Sequence, residues 1–109
     1  MKFLHYYPRA MVGNGGPTVA MWAWVRALAM VGAEVTVAFD SDLSAEQPLA
    51  VAGVKCIPVK HFWRGRWRLP FGEQLHLTTD TVVVLHSAFL AGNLRVAAQA
   101  RRVGAKVIF

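Results

Sequence analysis

The pentapeptides Val31-Gly32-Ala33-Glu34-Val35 and Val103-Gly104-Ala105-Lys106-Val107 differ at one position. Each follows a helix-compatible stretch and opens a strand-like one. The glycine stands where a left-handed residue ends a helix and reverses the chain. A helix-to-strand junction used twice points to helices alternating with strands, and so to a parallel α/β layout.

The rest of the chain extends this pattern. Residues 2–7 are dense in apolar and aromatic side chains and predict a first strand. Pro17 suits the opening position of a helix, where its missing N–H costs nothing, and the helix is expected to run to about Val31. Only Thr18 and Arg26 break its apolar character, which predicts cover on most sides. Residues 34–39 alternate, with Val35, Val37 and Phe39 on one face. Residues 54–59 predict a third strand, and Pro58 suits an edge position. Residues 60–79 show no clear period. Residues 81–86 form a continuous apolar run, as in a central strand covered on both faces. An amphipathic helix is expected over 88–103, with Leu90, Leu94, Ala97 and Ala98 on one face and Arg95, Gln99 and Arg102 on the other. A fifth strand begins at Lys106.

The expectation is a Rossmann-like parallel sheet, strand order 3-2-1-4-5, formed by a single domain over residues 1–109. Because the sequence stops within the fifth strand, the domain is expected to be truncated there and the natural protein to continue.

At 109 residues with 55% apolar content, the chain is long enough for one buried core. Charged residues make up 17%, which argues against disorder. The net charge is +6 and the excess is local, with Lys55, Lys60, Arg64, Arg66 and Arg68 in 14 residues that hold no acid. Such a cluster suggests an anionic partner or a solvated loop. Cys56 is the only cysteine, so no internal disulfide can form and a reducing compartment fits. The start of the chain lacks the apolar run of a signal peptide. The most apolar segment, residues 19–33, is shorter than the roughly 20 residues of a membrane span. A cytoplasmic location is expected.

In an open α/β sheet, ligands bind beyond the carboxyl ends of the strands where strand order reverses. Two segments are expected to meet there: Tyr7 to Gly16, including Arg9, and His86-Ser87. Gly13, Asn14, Gly15 and Gly16 let backbone N–H groups approach a phosphate, and the following helix adds its positive end. An imidazole at His86 can donate to a sugar hydroxyl, bind phosphate or act as a base. His5 is read as structural. His61 and His76 have no metal-ligand spacing with each other or with Cys56, so no metal site is expected. The Gly-rich stretch departs from the dinucleotide fingerprint at its sixth position, Thr18. Asp40 nonetheless stands where a ribose contact belongs, which keeps a nicotinamide-dependent oxidoreductase open. Walker and Gly-x-Ser-x-Gly motifs are absent.

Trp63, Arg64, Arg66, Trp67 and Arg68 interleave indoles with guanidinium groups. They suit a membrane interface or, as a non-enzymatic module, a nucleic-acid backbone. Alternatively, Trp63 and Trp67 pack one face of a short helix into the core.

Residues 1–8, followed by Gly15-Gly16, an apolar helix and Gly32-Ala33-Glu34-Val35-Thr36-Val37, resemble the start of GT-B fold glycosyltransferases, nearest to glycosyltransferase family 4. Val82-Val83-Val84-Leu85-His86-Ser87-Ala88-Phe89 is similar to that family's fourth strand and histidine-bearing loop. The likeness is thin over residues 41–80. It implies an acceptor-side domain facing a donor-binding domain absent from this sequence, with a nucleotide-diphosphate-sugar as donor. Gly13, Asn14, Gly15 and Gly16 would approach the donor phosphates. His86, Ser87, Tyr7 and Arg9 would line the acceptor side, for a glycan, lipid-linked or small-molecule acceptor. The aromatic-basic segment fits peripheral contact with the inner face of a membrane, and nucleic acid is not expected. The chain by itself binds no cofactor and is not expected to turn over.

Overall fold

The computed structural model describes residues 2–8, 16–43, 53–86 and 91–109. In chain order they form β1 (Lys2–Tyr6), α1 (Gly16–Met30), β2 (Glu34–Asp40), a 3-10 turn (Ser41–Leu43) and β3 (Val54–Val59). Then come β4 (His61–Arg64), β5 (Trp67–Pro70), a second 3-10 turn (Gly72–Leu75), β6 (Thr81–Leu85), α2 (Ala91–Val103) and β7 (Lys106–Ile108). Five strands make a parallel sheet in the order β3-β2-β1-β6-β7, and β4 and β5 form a separate antiparallel ribbon.

The layout is therefore parallel α/β and Rossmann-like, as expected. The strand numbering is not, because the 60–79 region contains a hairpin that adds two strands before the central one. Register runs Phe3↔Val35 on one side of β1 and Phe3↔Val82 on the other. Pro58 lies in β3, an edge strand of the sheet, where a missing N–H costs least.

The two similar pentapeptides adopt one conformation. Gly32 and Gly104 have φ of 84° and 82°. In each, the glycine N–H donates to the carbonyl three residues back, to Ala29 and Arg101, and the next alanine N–H reaches five back, to Leu28 and Ala100. This is the Schellman pattern, which satisfies carbonyls that the helix end leaves without partners.

The β1-to-β2 and β6-to-β7 crossovers run in opposite directions across the sheet, so crossovers of one hand place α1 and α2 on opposite faces. Two cores reflect this. One gathers Tyr7, just beyond β1, and Val35, Val37 and Phe39 of β2 with Met21, Trp22 and Val25 of α1. The other gathers Leu4, Tyr6, Val83 and Leu85 with Val96, Ala97 and Ala100 of α2. Alternation along each strand feeds one core and then the other.

Three local expectations are corrected. α1 buries one stripe, Met21, Trp22 and Val25, while Val19, Trp24 and Met30 are exposed. No other described layer packs on its outer side. α2 presents Gly92, Asn93, Val96, Ala97 and Ala100 inward and leaves Leu94 exposed. The small residues face inward because the hairpin and Tyr6 come close: a Cβ on Gly92 would lie 2.8 Å from the Tyr6 hydroxyl. Trp63 and Trp67 lie on antiparallel strands rather than on a short helix. Both are exposed, at 65% and 49%. Gly65, at φ 61°, supplies the tight two-residue turn between those strands.

Candidate functional site

All five sheet strands run the same way, so Tyr6, Asp40, Val59, Leu85 and Ile108 mark one rim. Strand order reverses on that rim between β1 and β6, and His86 is the first residue beyond β6. Its main chain is fixed from two sides. Its N–H donates to the Tyr6 carbonyl at 3.4 Å, and its carbonyl accepts from Asn93 Nδ2 of α2 at 2.9 Å.

The His86 ring is hydrogen-bonded to His5, with Nε2 and Nδ1 2.8 Å apart. The two rings are within 19° of coplanar with centroids 5.1 Å apart, as an in-plane N–H···N bond requires. Trp24 stands perpendicular to both, at 5.5 Å from His5 and 6.1 Å from His86, and Tyr7 lies 6.3 Å from His86. His5 is fully buried while His86 is half-buried. Burial, with the neighbouring His86, pushes His5 down to about 4, and burial also lowers His86. At neutral pH the pair is two uncharged imidazoles. It can exchange hydrogen bonds with hydroxyls or take up a proton, and it offers no fixed positive charge.

Of the residues expected around this point, Gly16 is the first residue of α1. Tyr7 is buried beside His86, and its N–H donates to the Ala38 carbonyl at 3.1 Å. Arg9, Gly13, Asn14, Gly15 and Ser87 lie outside the described residues. Among the described residues Trp24 and His5 also stand at the site, and the sequence had marked neither for it. Trp24 is the exposed aromatic of α1 that falls on the site side, a fact visible only once the helix phase is known.

A second polar cluster occupies the same rim on the β2–β3 side. His61 Nδ1–H donates to the Val59 carbonyl at 2.8 Å, which leaves Nε2 to accept the Tyr6 hydroxyl proton at 2.7 Å. Asp40, with a fully buried side chain, lies 3.5 Å from His61 Nδ1. Its carboxylate accepts Nε–H and Nη2–H of Arg68, and Oδ1 also accepts the Asp42 N–H at 3.0 Å. Arg68 also reaches Asp42 at 2.7 Å.

Burial alone would raise the Asp40 carboxyl. The Arg68 and Asp42 bonds, with the nearby His61 and Arg68 charges, outweigh it and hold the carboxyl below its ordinary value. Burial lowers His61 in spite of its bond to Val59 and the nearby Asp40. Burial and the Asp40 charge raise the Tyr6 phenol well above its usual range. The cluster is closed on itself, and its chemistry is that of an anchor joining the hairpin to β1 and β2.

A groove of about 600 Å³ on the outer side of α2 is lined by Glu73, Leu94, Arg95, Gln99 and Arg102. Arg95 and Gln99 are already bonded there to the Pro70 and Gly72 carbonyls, so few free polar groups converge on it. Among the described residues, no three His, Cys, Asp or Glu side chains are placed to hold a metal. None of the described helices is long and apolar enough to cross a membrane.

The fold and the rim together define a Rossmann-like α/β domain with its candidate site at the switch point. No protein-family model, curated protein or solved structure matches the chain.

Proposed function

We propose that this chain is the acceptor-side domain of a glycosyltransferase that moves a sugar from a nucleotide-diphosphate-sugar to a glycan, lipid-linked or small-molecule acceptor. The observation that carries the reading is His86. It is an uncharged imidazole held at the switch point by Tyr6, Asn93 and His5, and flanked by the exposed indole of Trp24.

A sugar offers hydroxyls for such a ring and apolar C–H faces for an indole, and the start of α1 at Gly16 suits a diphosphate. The order of glycine-rich stretch, apolar helix and post-strand histidine is also what gives the sequence its resemblance to GT-B enzymes. In this reading a partner domain supplies the other wall of the cleft, and residues 1–109 alone do not turn over.

The competing dinucleotide reading requires an accessible carboxylate after β2. Asp40 is instead buried and bonded to Arg68, and a ribose could reach it only by displacing that pair.

Calorimetric titration of the full-length protein with a panel of nucleotide-diphosphate-sugars tests the proposal. We expect saturable binding, abolished by Gly16→Val and unchanged by His86→Ala, whose ring faces the acceptor; His86→Ala should instead slow sugar transfer roughly tenfold, the size of one lost hydrogen bond. Binding of a nicotinamide dinucleotide with dependence on Asp40, and none of sugar nucleotides, would overturn it.

A further inference from the structure

The hairpin formed by β4 and β5 has a fixed base and a bare tip. At the base, His61 is bonded to Tyr6, Arg68 to Asp40 and Asp42, and the Phe71 N–H to the Lys60 carbonyl at 2.9 Å. Arg95 of α2 lies over the Phe62 ring at 5.0 Å while donating to the Pro70 carbonyl. Five consecutive residues at the tip, Trp63-Arg64-Gly65-Arg66-Trp67, are exposed. No acidic residue occurs between Val54 and Gly72. A rigid base with exposed indoles at its end is costly in water and has to be explained by what the tip meets.

The register decides what kind of surface that is. Trp63 pairs with Arg68, and Arg64 pairs with Trp67. Side chains alternate along a strand, so Trp63 and Arg68 project from one face of the ribbon while Trp67 and Arg64 project from the other. A stacking platform for nucleic-acid bases needs its aromatics on one face with cations tracking a backbone beside them. Here the two indoles flank the tip from opposite sides. Each has a guanidinium over it, Arg66 on Trp67 at 5.1 Å and Arg68 on Trp63 at 5.2 Å. A ribbon edged in this way fits entry tip-first into a bilayer interface. The indoles sit at headgroup depth and the arginines meet anionic phosphates.

We infer that the β4–β5 tip is a membrane-docking wedge that inserts Trp63 and Trp67 into an anionic lipid surface. Arg64 and Arg66 make the headgroup contacts, and Arg68 is retained by Asp40 to hold the wedge rigid. The hairpin follows the carboxyl end of β3, so docking brings the switch-point rim toward the bilayer. The inference stands apart from the sugar-transfer reading, since it needs no donor to be bound.

The full-length protein is mixed with vesicles of phosphatidylcholine alone and with vesicles containing phosphatidylglycerol, and bound protein is sedimented. We expect binding only to the anionic vesicles, reduced by added salt. Arg64→Gln and Arg66→Gln should each weaken it roughly fivefold. The double variant Trp63→Ala/Trp67→Ala should weaken it at least about tenfold. These residues are exposed, and unchanged circular dichroism and melting temperature confirm the fold. Independently of any variant, headgroup-proximal brominated lipid should quench the wild-type tryptophan emission, and Trp63→Phe/Trp67→Phe should remove most of that quenching. Equal binding to both vesicle types, no quenching, or tighter binding to single-stranded RNA than to anionic vesicles would each overturn the inference. Sugar-nucleotide binding is measured without vesicles, so either idea can fail alone.

Discussion

Arg68 and Gly92 carry two of the least replaceable contacts in the chain. Arg68 keeps about a fifth of its side chain in solvent, while its partner Asp40 has none there. Removing the guanidinium strands a buried carboxylate. Arg68→Met is therefore expected to destabilise the fold by about 3 kcal/mol, read from urea denaturation. Adding Asp40→Asn should recover part of that loss, and no recovery would show that Arg68 acts by packing alone. At Gly92, a Cβ would lie 2.8 Å from the Tyr6 hydroxyl and 3.4 Å from Pro70 Cδ. Alanine gains roughly 1 kcal/mol of helix propensity. Overpacking costs about 1–3 kcal/mol. Gly92→Ala should lower the melting temperature, and a stabilised variant would mean that the hairpin can move away from α2. Nothing in the local sequence marks Gly92, because its constraint comes from Tyr6 and Pro70, both distant along the chain.

At the scale of elements, the Schellman junctions and the hairpin behave differently. Both junction glycines have positive φ, and a Cβ on Gly32 would meet nothing within 4 Å. The cost of Gly32→Ala is therefore backbone strain alone, about 1–2 kcal/mol. Gly104→Ala should match it within error in chemical denaturation. A large difference would show that the shared sequence does not carry shared energetics. These junctions were legible in the sequence because their hydrogen bonds close within six residues. The hairpin was not. His61, Trp63, Trp67 and Pro70 alternate with no consistent polarity, since one end of each strand is anchored in the fold and the other is bare. α2 misled for a related reason: Leu94 suits a buried helix face, but the close approach of the hairpin requires glycine and alanine there.

At the scale of the whole molecule, burial sets the response to pH. His5, His61 and His86 all titrate below their ordinary value because burial disfavours the charged ring, His5 at about 4. A base depressed in the folded state contributes stability above its unfolded pKa, near 6.5. That contribution is lost as pH falls toward the folded value, with a limiting slope of about 1.4 kcal/mol per pH unit for the fully buried His5 and less for the half-buried His86. Asp40 is depressed as well, so its contribution survives until pH falls below the ordinary carboxylate range near 4. Stability is thus expected to decline first between pH 6.5 and 4, and further below that. Urea midpoints at pH 7.5 and pH 5 check this, and equal midpoints would mean that the histidines are hydrated in the folded state.

The amino-acid sequence by itself determined the parallel α/β class, the places of the five sheet strands to within a residue, both helix-to-strand turns, and the position of His86 after a buried strand. Each of these follows from apolar periodicity or from hydrogen bonds closed over a few residues. Only the tertiary structure decided that His5 is the partner of His86, that Trp24 stands beside them, and that Asp40 is locked to Arg68. It also turned Trp63 and Trp67 outward on opposite faces of a ribbon. The first three pairings join residues 81, 62 and 28 positions apart in sequence, and at that range side-chain proximity is set by sheet register and packing. The same physics set a neutral imidazole pair beside an indole at the switch point.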